Sequence, residues 1–543
     1  MLVAVVPTGD GRGRARVLGS ATTVETDDLA GWMAGMEAEG PRWIVPSAEE
    51  LYPALLERGV RLGRCHDLGL VEALLLAFAE TPRRPRNLAA AWARLRGGPE
   101  PADPRPIAKG EQPTLFEPDR GTTPAGVDVL DAIEAVHADQ ERRIAATAHP
   151  ERLRLLAAAE SAGALAAAEM THHGLPWRAD IHAELLVTAL GPRPSPGGRP
   201  AKLAALADRI TAAFHGRAVN PDAPASIVAA FAREGIEIPS ARAWVLREVD
   251  HPAVEPLLEY KELARLYVAH GWSWLESWVD GGRFRPEYVV GGVVSGRWAT
   301  RGGAALQLPK LLRTAVRADP GWSLVVADAA QLEPRVLGAL AEDQRFAEVS
   351  ASVDLYTSLA ADAFGGDRGR AKIAMLSAMY GGTSGEAGPL LAVLRKRFPR
   401  AVDYVEHAAR AGEQGRVVRS RLGRTSPPPS EAWRELTSTD ETAGRRAARD
   451  WGRFTRNFVV QASAADWALT MLAALRRRLA ASEAAIVFFQ HDEVIVHCPA
   501  ADAPAVAAEF DAAAAEATGL VFGRTPVRFP LQATVVDCYA DAK

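Results

Sequence analysis

Cysteine is nearly absent from this chain. Three residues in 543, Cys65, Cys498 and Cys538, stand far apart with no CxxC pair. That spacing argues against zinc and against a disulfide framework, and it fits a reducing compartment. Long hydrophobic runs are missing too. The Ala-rich stretch 153–170 is interrupted by Arg154, Glu160 and Glu169, so it reads as a packed helix rather than a membrane span. The apolar start, residues 2–7, is short, lacks a basic leader and soon meets Asp10, which disfavours a secretory signal. No internal repeat is visible. Net charge is small, −4, which taken whole argues mildly against a nucleic-acid partner.

The charge that is present is unevenly placed. Residues 368–424 hold twelve Arg and Lys against four Asp and Glu, a local +8, and leave about −12 elsewhere. A basic segment on an acidic body suits phosphates held in one groove, although a solvated basic helix would look the same. With 48% hydrophobic and 24% charged residues the chain is globular, and its length suggests about three domains.

Residues 1–145 mix short strand signals (2–6, 14–18, 43–45) with helical patterns (48–58, 68–79). Pro-rich stretches at 81–86 and 97–119 follow, and the second reads as a linker or long surface loop. From about 128 to 280 the pattern is helical: 128–146, 151–173, 202–214, 225–234 and one long helix at 254–279. Residues 191–200 read as a turn, and Asn220-Pro-Asp as a helix opening. From about 285 strands return. Residues 323–327 (SLVVA) form a buried strand ending in Asp328, and 485–498 form two apolar runs broken by His491-Asp492-Glu493. If both share one sheet, the helices between them are an insertion standing on it.

A carboxylate directly after a buried strand presents oxygen at a sheet edge. Alone, Asp328 reads more readily as a helix N-cap, and no GxGxxG precedes it to support a dinucleotide site. Asp492, at a hairpin tip, is by itself an ordinary charged turn. Together, two carboxylates on neighbouring strands are what a pair of Mg²⁺ ions roughly 3.5–4 Å apart requires, because hard cations select oxygen. The third element is a helix at 368–380. Arg368, Lys372 and Leu376 form one stripe, with Tyr380 one turn further, over roughly 18 Å. Charge at one end and a flat apolar end at the other match a nucleoside triphosphate, while an amphipathic surface helix is the plainer reading. The glycines Gly381, Gly382 and Gly385 follow a helix, so they read as its end and a hinge.

On these residues the chain resembles the family A DNA polymerases, the DNA polymerase I family. Asp328-Ala-Ala-Gln331-Leu-Glu333-Pro-Arg335 is similar to the family's first palm motif. The segment 368–381 is similar to its nucleotide-binding fingers helix, and Gln490-His491-Asp492-Glu493 to its second palm motif. Ser295-Gly296-Arg297-Trp-Ala-Thr resembles the primer-side palm segment, with Gln307 and Pro309 downstream. Arg453, Asn457 and Gln461 match a helix that faces the minor groove. The resemblance covers about residues 150–543 in motif order.

The resemblance implies an α+β multidomain fold of right-hand shape: an antiparallel palm sheet with helical fingers and thumb, preceded by a small α/β exonuclease-like domain. The implied division is 1–127 exonuclease-like with its linker, 128–285 thumb, 286–340 and 450–543 palm, and 341–449 fingers. Asp328 and Asp492 would hold two Mg²⁺ ions, with Mn²⁺ as the alternative. Arg368 and Lys372 would grip the triphosphate, with Lys372 also the acid for the leaving group. Tyr380 would stack near the template, and Glu333 would crowd the ribose 2′ position. Gln331, Leu376 and His491 would complete the nucleotide site, with Arg297, Gln307, Arg453, Asn457 and Gln461 on the DNA. Glu493 would sit near the metals without being a required ligand. The expected partners are primer-template DNA and deoxynucleoside triphosphates, with no membrane, for a monomer in the bacterial cytoplasm at the nucleoid.

Some positions depart from the family pattern. Ala329 and Ala330 replace a Tyr-Ser pair, Leu376 stands where Phe or Tyr is usual, and Met375 where Asn is common; sugar discrimination is the property these bear on. The first strand lacks the Asp-x-Glu that an exonuclease needs, and Thr23-Val-Glu25-Thr-Asp27-Asp28, Asp67 and Glu141 are its scattered candidates. The expected N-terminal domain is therefore a proofreading fold without its metals. His172, His173 and His182 read as ordinary helical histidines. The alternatives are a polymerase with active 3′–5′ proofreading, a single-subunit RNA polymerase, against which Glu333 speaks, and a non-catalytic DNA-binding accessory protein.

Overall fold

The computed structural model describes residues 1–104, 122–352, 354–382 and 387–542. Residues 105–119 of the Pro-rich stretch, and Gly385, lie outside them. The chain packs as two units, the first comprising Met1–His173, Tyr288–Ala299 and Val325–Val535, the second Gly174–Glu287, Thr300–Leu324 and the C-terminal residues.

The first unit holds a five-stranded and a four-stranded sheet. The N-terminal one runs Thr23–Thr26, Arg12–Val17, Leu2–Gly9, Arg42–Val45, Cys65–Asp67 in spatial order. Its first three strands are antiparallel and its last three parallel. Alternation along the first strand divides two cores. Val3 and Val5 face Trp43, Tyr52 and Leu55, whereas Ala4 faces Ile44, Leu130 and Ile133. Helices cover both faces, as a sheet with parallel strands requires. Helix Pro150–His173 packs against this domain and against the long helix Glu441–Arg478. A buried cluster ties them: Tyr52 donates to Glu169 at 2.6 Å and Arg476 donates to the same carboxylate at 2.9 Å.

The second sheet has the order Ala485–Gln490, Glu493–Pro499, Trp322–Ala329, Leu531–Val536. The two strand signals distant in sequence therefore share one sheet, and the helices between them are an insertion. Residues 324–327 are buried, so the continuous apolar run reflects cover on both faces. Helix Glu441–Arg478 is long and apolar enough to meet a membrane criterion, yet 89% of its apolar window is buried inside the protein. It is a core helix, capped by Asp440, whose side chain accepts from the Thr442 and Ala443 amides.

The second unit is not purely helical. It adds a small sheet of Leu175–Pro176, Arg283–Phe284 and Val279–Asp280. The single helix expected over 254–279 is broken at Gly271 into Val254–His270 and Trp272–Trp278. Gly271 takes an extended backbone there, and a Cβ on it would lie 2.3 Å from the Tyr267 carbonyl oxygen. Asn220-Pro-Asp forms a turn before the helix rather than its opening: Asn220 Oδ1 accepts from the Asp222 amide, and the helix begins at Pro224.

Candidate nucleotidyl-transfer site

All but one of the sequence-selected residues fall in the first unit. Asp328 is the penultimate residue of Trp322–Ala329, half-buried at the strand end. Asp492 occupies the tip between Ala485–Gln490 and Glu493–Pro499. The backbone joins them: the Ala329 N–H donates to the Asp492 carbonyl at 2.9 Å.

The tip is a tight one. The Asp492 amide donates to the Gln490 carbonyl at 2.7 Å, closing a turn around His491, whose φ is +62°. A positive φ on a non-glycine residue in such a turn is strained by about 1–3 kcal/mol and persists only where the surroundings impose it. The paired strands impose it here, with Gln490 opposite Glu493. His491 is thereby fixed beside Asp492, its Nδ1 buried without a hydrogen-bond partner. Burial, then the positive charge of Arg297, pushes the imidazole below its usual range, so it is neutral at pH 7.

Arg297, Glu333, His491 and Asp492 line one small cavity together with Trp298, Phe489 and Leu469. Within it Glu333 is held from two sides. Arg297 Nη2 donates to one carboxylate oxygen at 2.5 Å and the Tyr380 hydroxyl to the other at 2.7 Å. Burial and then the Glu333 charge raise the Tyr380 hydroxyl well above its ordinary range, so it stays a donor. Gln331 opens helix Leu332–Ala341 at φ +53°, and its side-chain oxygen accepts from the Leu355 amide at 2.9 Å.

Helix Arg368–Tyr380 begins at Asp367, which caps the Arg370 amide, and ends at Gly381 with φ +74°. Arg368 and Lys372 are exposed and Leu376 half-buried on the expected stripe. Arg368 is engaged: its Nε donates to Asp354 at 2.9 Å, and its guanidinium lies 5.5 Å from the Tyr356 ring centre. Burial would raise the Asp354 carboxyl, but the bonds from Arg368 and Thr357 hold it below the usual range. Sequence reasoning missed Asp354 and Tyr356. The signal was there, an Asp set immediately before the apolar spacing of Leu355 and Leu359, as an N-cap is.

Arg453, Asn457 and Gln461 recur every fourth residue on Glu441–Arg478 and share one stripe. Arg453 pairs with Asp450 at 3.1 Å, and its side chain lies over Gly381. Asn457 and Gln461 are half-buried, and the Asn457 Oδ1 has no hydrogen-bond partner. Gln307 belongs to the second unit, where it accepts from Arg265 at 3.2 Å.

The cavity rests on a buried charge cluster that the sequence did not reveal. Gly296, at φ +84°, lies against the Arg424 guanidinium, and a Cβ there would meet Arg424 Nε at 2.3 Å. Arg424 cannot easily yield. It pairs with Glu160 and, at 2.8 Å, with Asp466, which also accepts from Ser420 at 2.6 Å.

Each of the exonuclease candidates has a partner within the protein. Asp67 is buried and accepts from the Ala48 and Leu70 amides, capping two helices. Glu25 pairs with Arg14, Asp27 with Arg12, Asp28 with Arg58 and Glu141 with Arg154.

A family model described as DNA polymerase family A matches residues 202–535. The thermostable DNA polymerase I of Thermus caldophilus is 27% identical over 292 residues, covering 48% of this chain and 34% of that protein. That of Thermus aquaticus is 27% identical over 293 residues, with the same shares. DNA polymerase I of Deinococcus radiodurans is 25% identical over 289 residues, 48% of this chain and 29% of that one. The match thus spans about a third of the length of these relatives. Among solved structures, the POL domain of Pol1 from M. smegmatis, in complex with DNA primer-template and dNTP, aligns with a TM-score of 0.73 at 18% identity. The alignment covers 99% of this chain and 95% of that one, a likeness of fold.

Proposed function

The chain belongs to DNA polymerase family A, and on that footing we propose that it is a DNA-directed DNA polymerase, adding deoxynucleotides to a primer 3′-hydroxyl as a template directs. The observation that carries this reading is the Ala329–Asp492 backbone bond, which puts two carboxylates on neighbouring strands beside a cavity that also holds Arg297, Glu333 and His491.

Asp328 and Asp492 offer oxygen only, the donor set that Mg²⁺ favours and Mn²⁺ accepts. Bound there, such ions supply Lewis acidity for activating a hydroxyl and for offsetting charge on departing pyrophosphate. The protein does the positioning. Arg368 and Lys372 are the exposed cations that meet the triphosphate, Arg368 leaving Asp354 to do so, and Lys372 gives a proton to the leaving group. Glu333, clamped by Arg297 and Tyr380, fills the space at the sugar 2′ position, and Leu376 completes the nucleotide site. His491, neutral and held by its turn, and Arg297 meet the primer end. Gln331 sets the geometry of this wall through its bond to Leu355. Arg453, Asn457 and Gln461 follow the minor groove, and Gln307 contacts DNA from the second unit.

In this reading residues 1–127 are a degenerate exonuclease-like domain, the palm is 286–340 with 450–543, and the fingers are 341–449. The thumb region is 128–285, of which helix Pro150–His173 packs in the first unit. The arginine-paired and cap-bound carboxylates of the N-terminal domain support a polymerase without proofreading. The protein would act as a monomer on chromosomal DNA in the bacterial cytoplasm. Primer extension with Mg²⁺ and each deoxy- and ribonucleotide tests the reading. Template-matched extension with deoxynucleotides and no release of mononucleotides from the 3′ end is expected. Absence of any extension, or extension independent of template, would refute it.

A further inference from the structure

We propose that His66, His137 and Glu141 form a binding site for one divalent transition-metal ion, best suited to Zn²⁺, that pins helix Val129–Ala145 to strand Cys65–Asp67. His137 and Glu141 lie one turn apart on the helix and His66 on the facing strand. One ligand atom from each of the three lies within 4.8 Å of the others. A tetrahedral Zn²⁺ with bonds of about 2.0–2.1 Å holds its ligands roughly 3.3 Å apart, so modest side-chain rotation closes the set.

Four features go beyond proximity. First, the proton on His66 is placed. Gln140 Nε2 donates to the Leu68 carbonyl at 2.9 Å and to Glu72 at 3.1 Å, so Gln140 Oε1 is an acceptor. The 2.9 Å contact from His66 Nε2 to that oxygen is therefore an N–H donor bond, which leaves the lone pair on Nδ1. A metal-binding histidine typically has this arrangement, its other nitrogen donating to an oxygen behind it. Second, both imidazoles are buried, His66 to 6% and His137 to 8% exposure, so bulk water competes little for their lone pairs. Third, Glu141 is oriented by Arg154, which donates to Oε2 at 3.0 Å and leaves Oε1 for an ion. Fourth, two imidazoles and one carboxylate select a borderline ion, not the hard ion that suits Asp328 and Asp492.

Arg42 opposes a dication here, since its charge disfavours protonation of both rings; Glu134 and Glu141 act in the opposite sense on His137. The alternative is a dry edge-to-face pair, as the rings stand 4.7 Å apart at 72°. Cysteine spacing had argued against zinc, but these ligands meet only in the fold.

The test is titration of chelator-treated full-length protein with Co²⁺ in excess Mg²⁺, which keeps oxygen-only sites filled. The expected result is one equivalent bound, with the visible absorption of a four-coordinate ion, displaced by Zn²⁺. Glu141→Gln and His137→Ala should each weaken binding at least tenfold. Gln140→Leu, which keeps all three ligands, should weaken it roughly 10- to 100-fold. The His172→Ala/His173→Ala double variant should bind like the parent, excluding an exposed histidine pair. If His137→Ala fails to fold, by circular dichroism, Glu141→Gln decides. Absent binding, binding unchanged in Glu141→Gln, or binding lost in the 172/173 variant overturns the proposal. None of these readouts depends on polymerase activity.

Discussion

The Tyr380 hydroxyl donates to the Glu333 carboxylate at 2.7 Å, linking the last residue of helix Arg368–Tyr380 to the first turn of helix Leu332–Ala341. Arg297 holds the opposite oxygen, so Glu333 is fixed from both sides rather than free to swing. Glu333→Ala should therefore raise use of ribonucleotides relative to deoxynucleotides, by about tenfold or more. Tyr380→Phe removes one bond of the clamp and should have a smaller effect, about fivefold. Single-nucleotide incorporation with paired sugars measures both. Unaltered selectivity in Glu333→Ala would remove the gate assignment.

Lys372 is exposed on the same stripe as Arg368. If it gives the leaving group its proton, Lys372→Ala should lower kcat by at least about tenfold at saturating nucleotide, because general acids contribute to the chemical step. A change in KM alone, read by single-turnover kinetics, would make it a binding residue only.

Gly296 and Gly321 share a left-handed backbone, at φ +84° and +82°, but only Gly296 is crowded. Gly321→Ala should cost about 1–2 kcal/mol for its backbone alone. Gly296→Ala adds overlap with Arg424, which Glu160 and Asp466 hold in place, and should cost about 2–5 kcal/mol. Denaturant unfolding of the two variants compares them, and equal losses would mean that Arg424 yields.

Burial lowers His182 and His270 to about 4. A histidine depressed from about 6.5 gives stability that is complete above the unfolded value and is lost as pH falls towards the folded one. Asp67 runs the other way. Burial raises it to about 6, so it favours the folded state as pH falls from there to about 4. The melting temperature should drop between about pH 6.5 and pH 4, less steeply in His182→Phe and more steeply in Asp67→Asn. Identical slopes in all three proteins would contradict these assignments.

The site was more legible in the sequence than the frame around it. The run SLVVA ending in Asp328, the apolar runs either side of His491-Asp492 and the stripe of residues 368–380 carry local patterns, and each folded as its pattern implied. What the sequence hid is long-range. Nothing near Arg424 announces Glu160 or Asp466, which lie 264 and 42 residues away. Likewise Gly271 reads as a tolerated helical glycine until Tyr267 closes on it. Asp67 looked like a stray metal ligand because a cap and a ligand are both lone carboxylates after a strand.

The most direct measurement is the primer-extension rate of Asp328→Ala and Asp492→Ala beside the parent, in Mg²⁺ and with folding verified. Loss of either carboxylate should cut the rate more than about a hundredfold, as removal of charge stabilisation worth several kcal/mol demands. Either variant extending a primer at close to the parental rate would contradict the account.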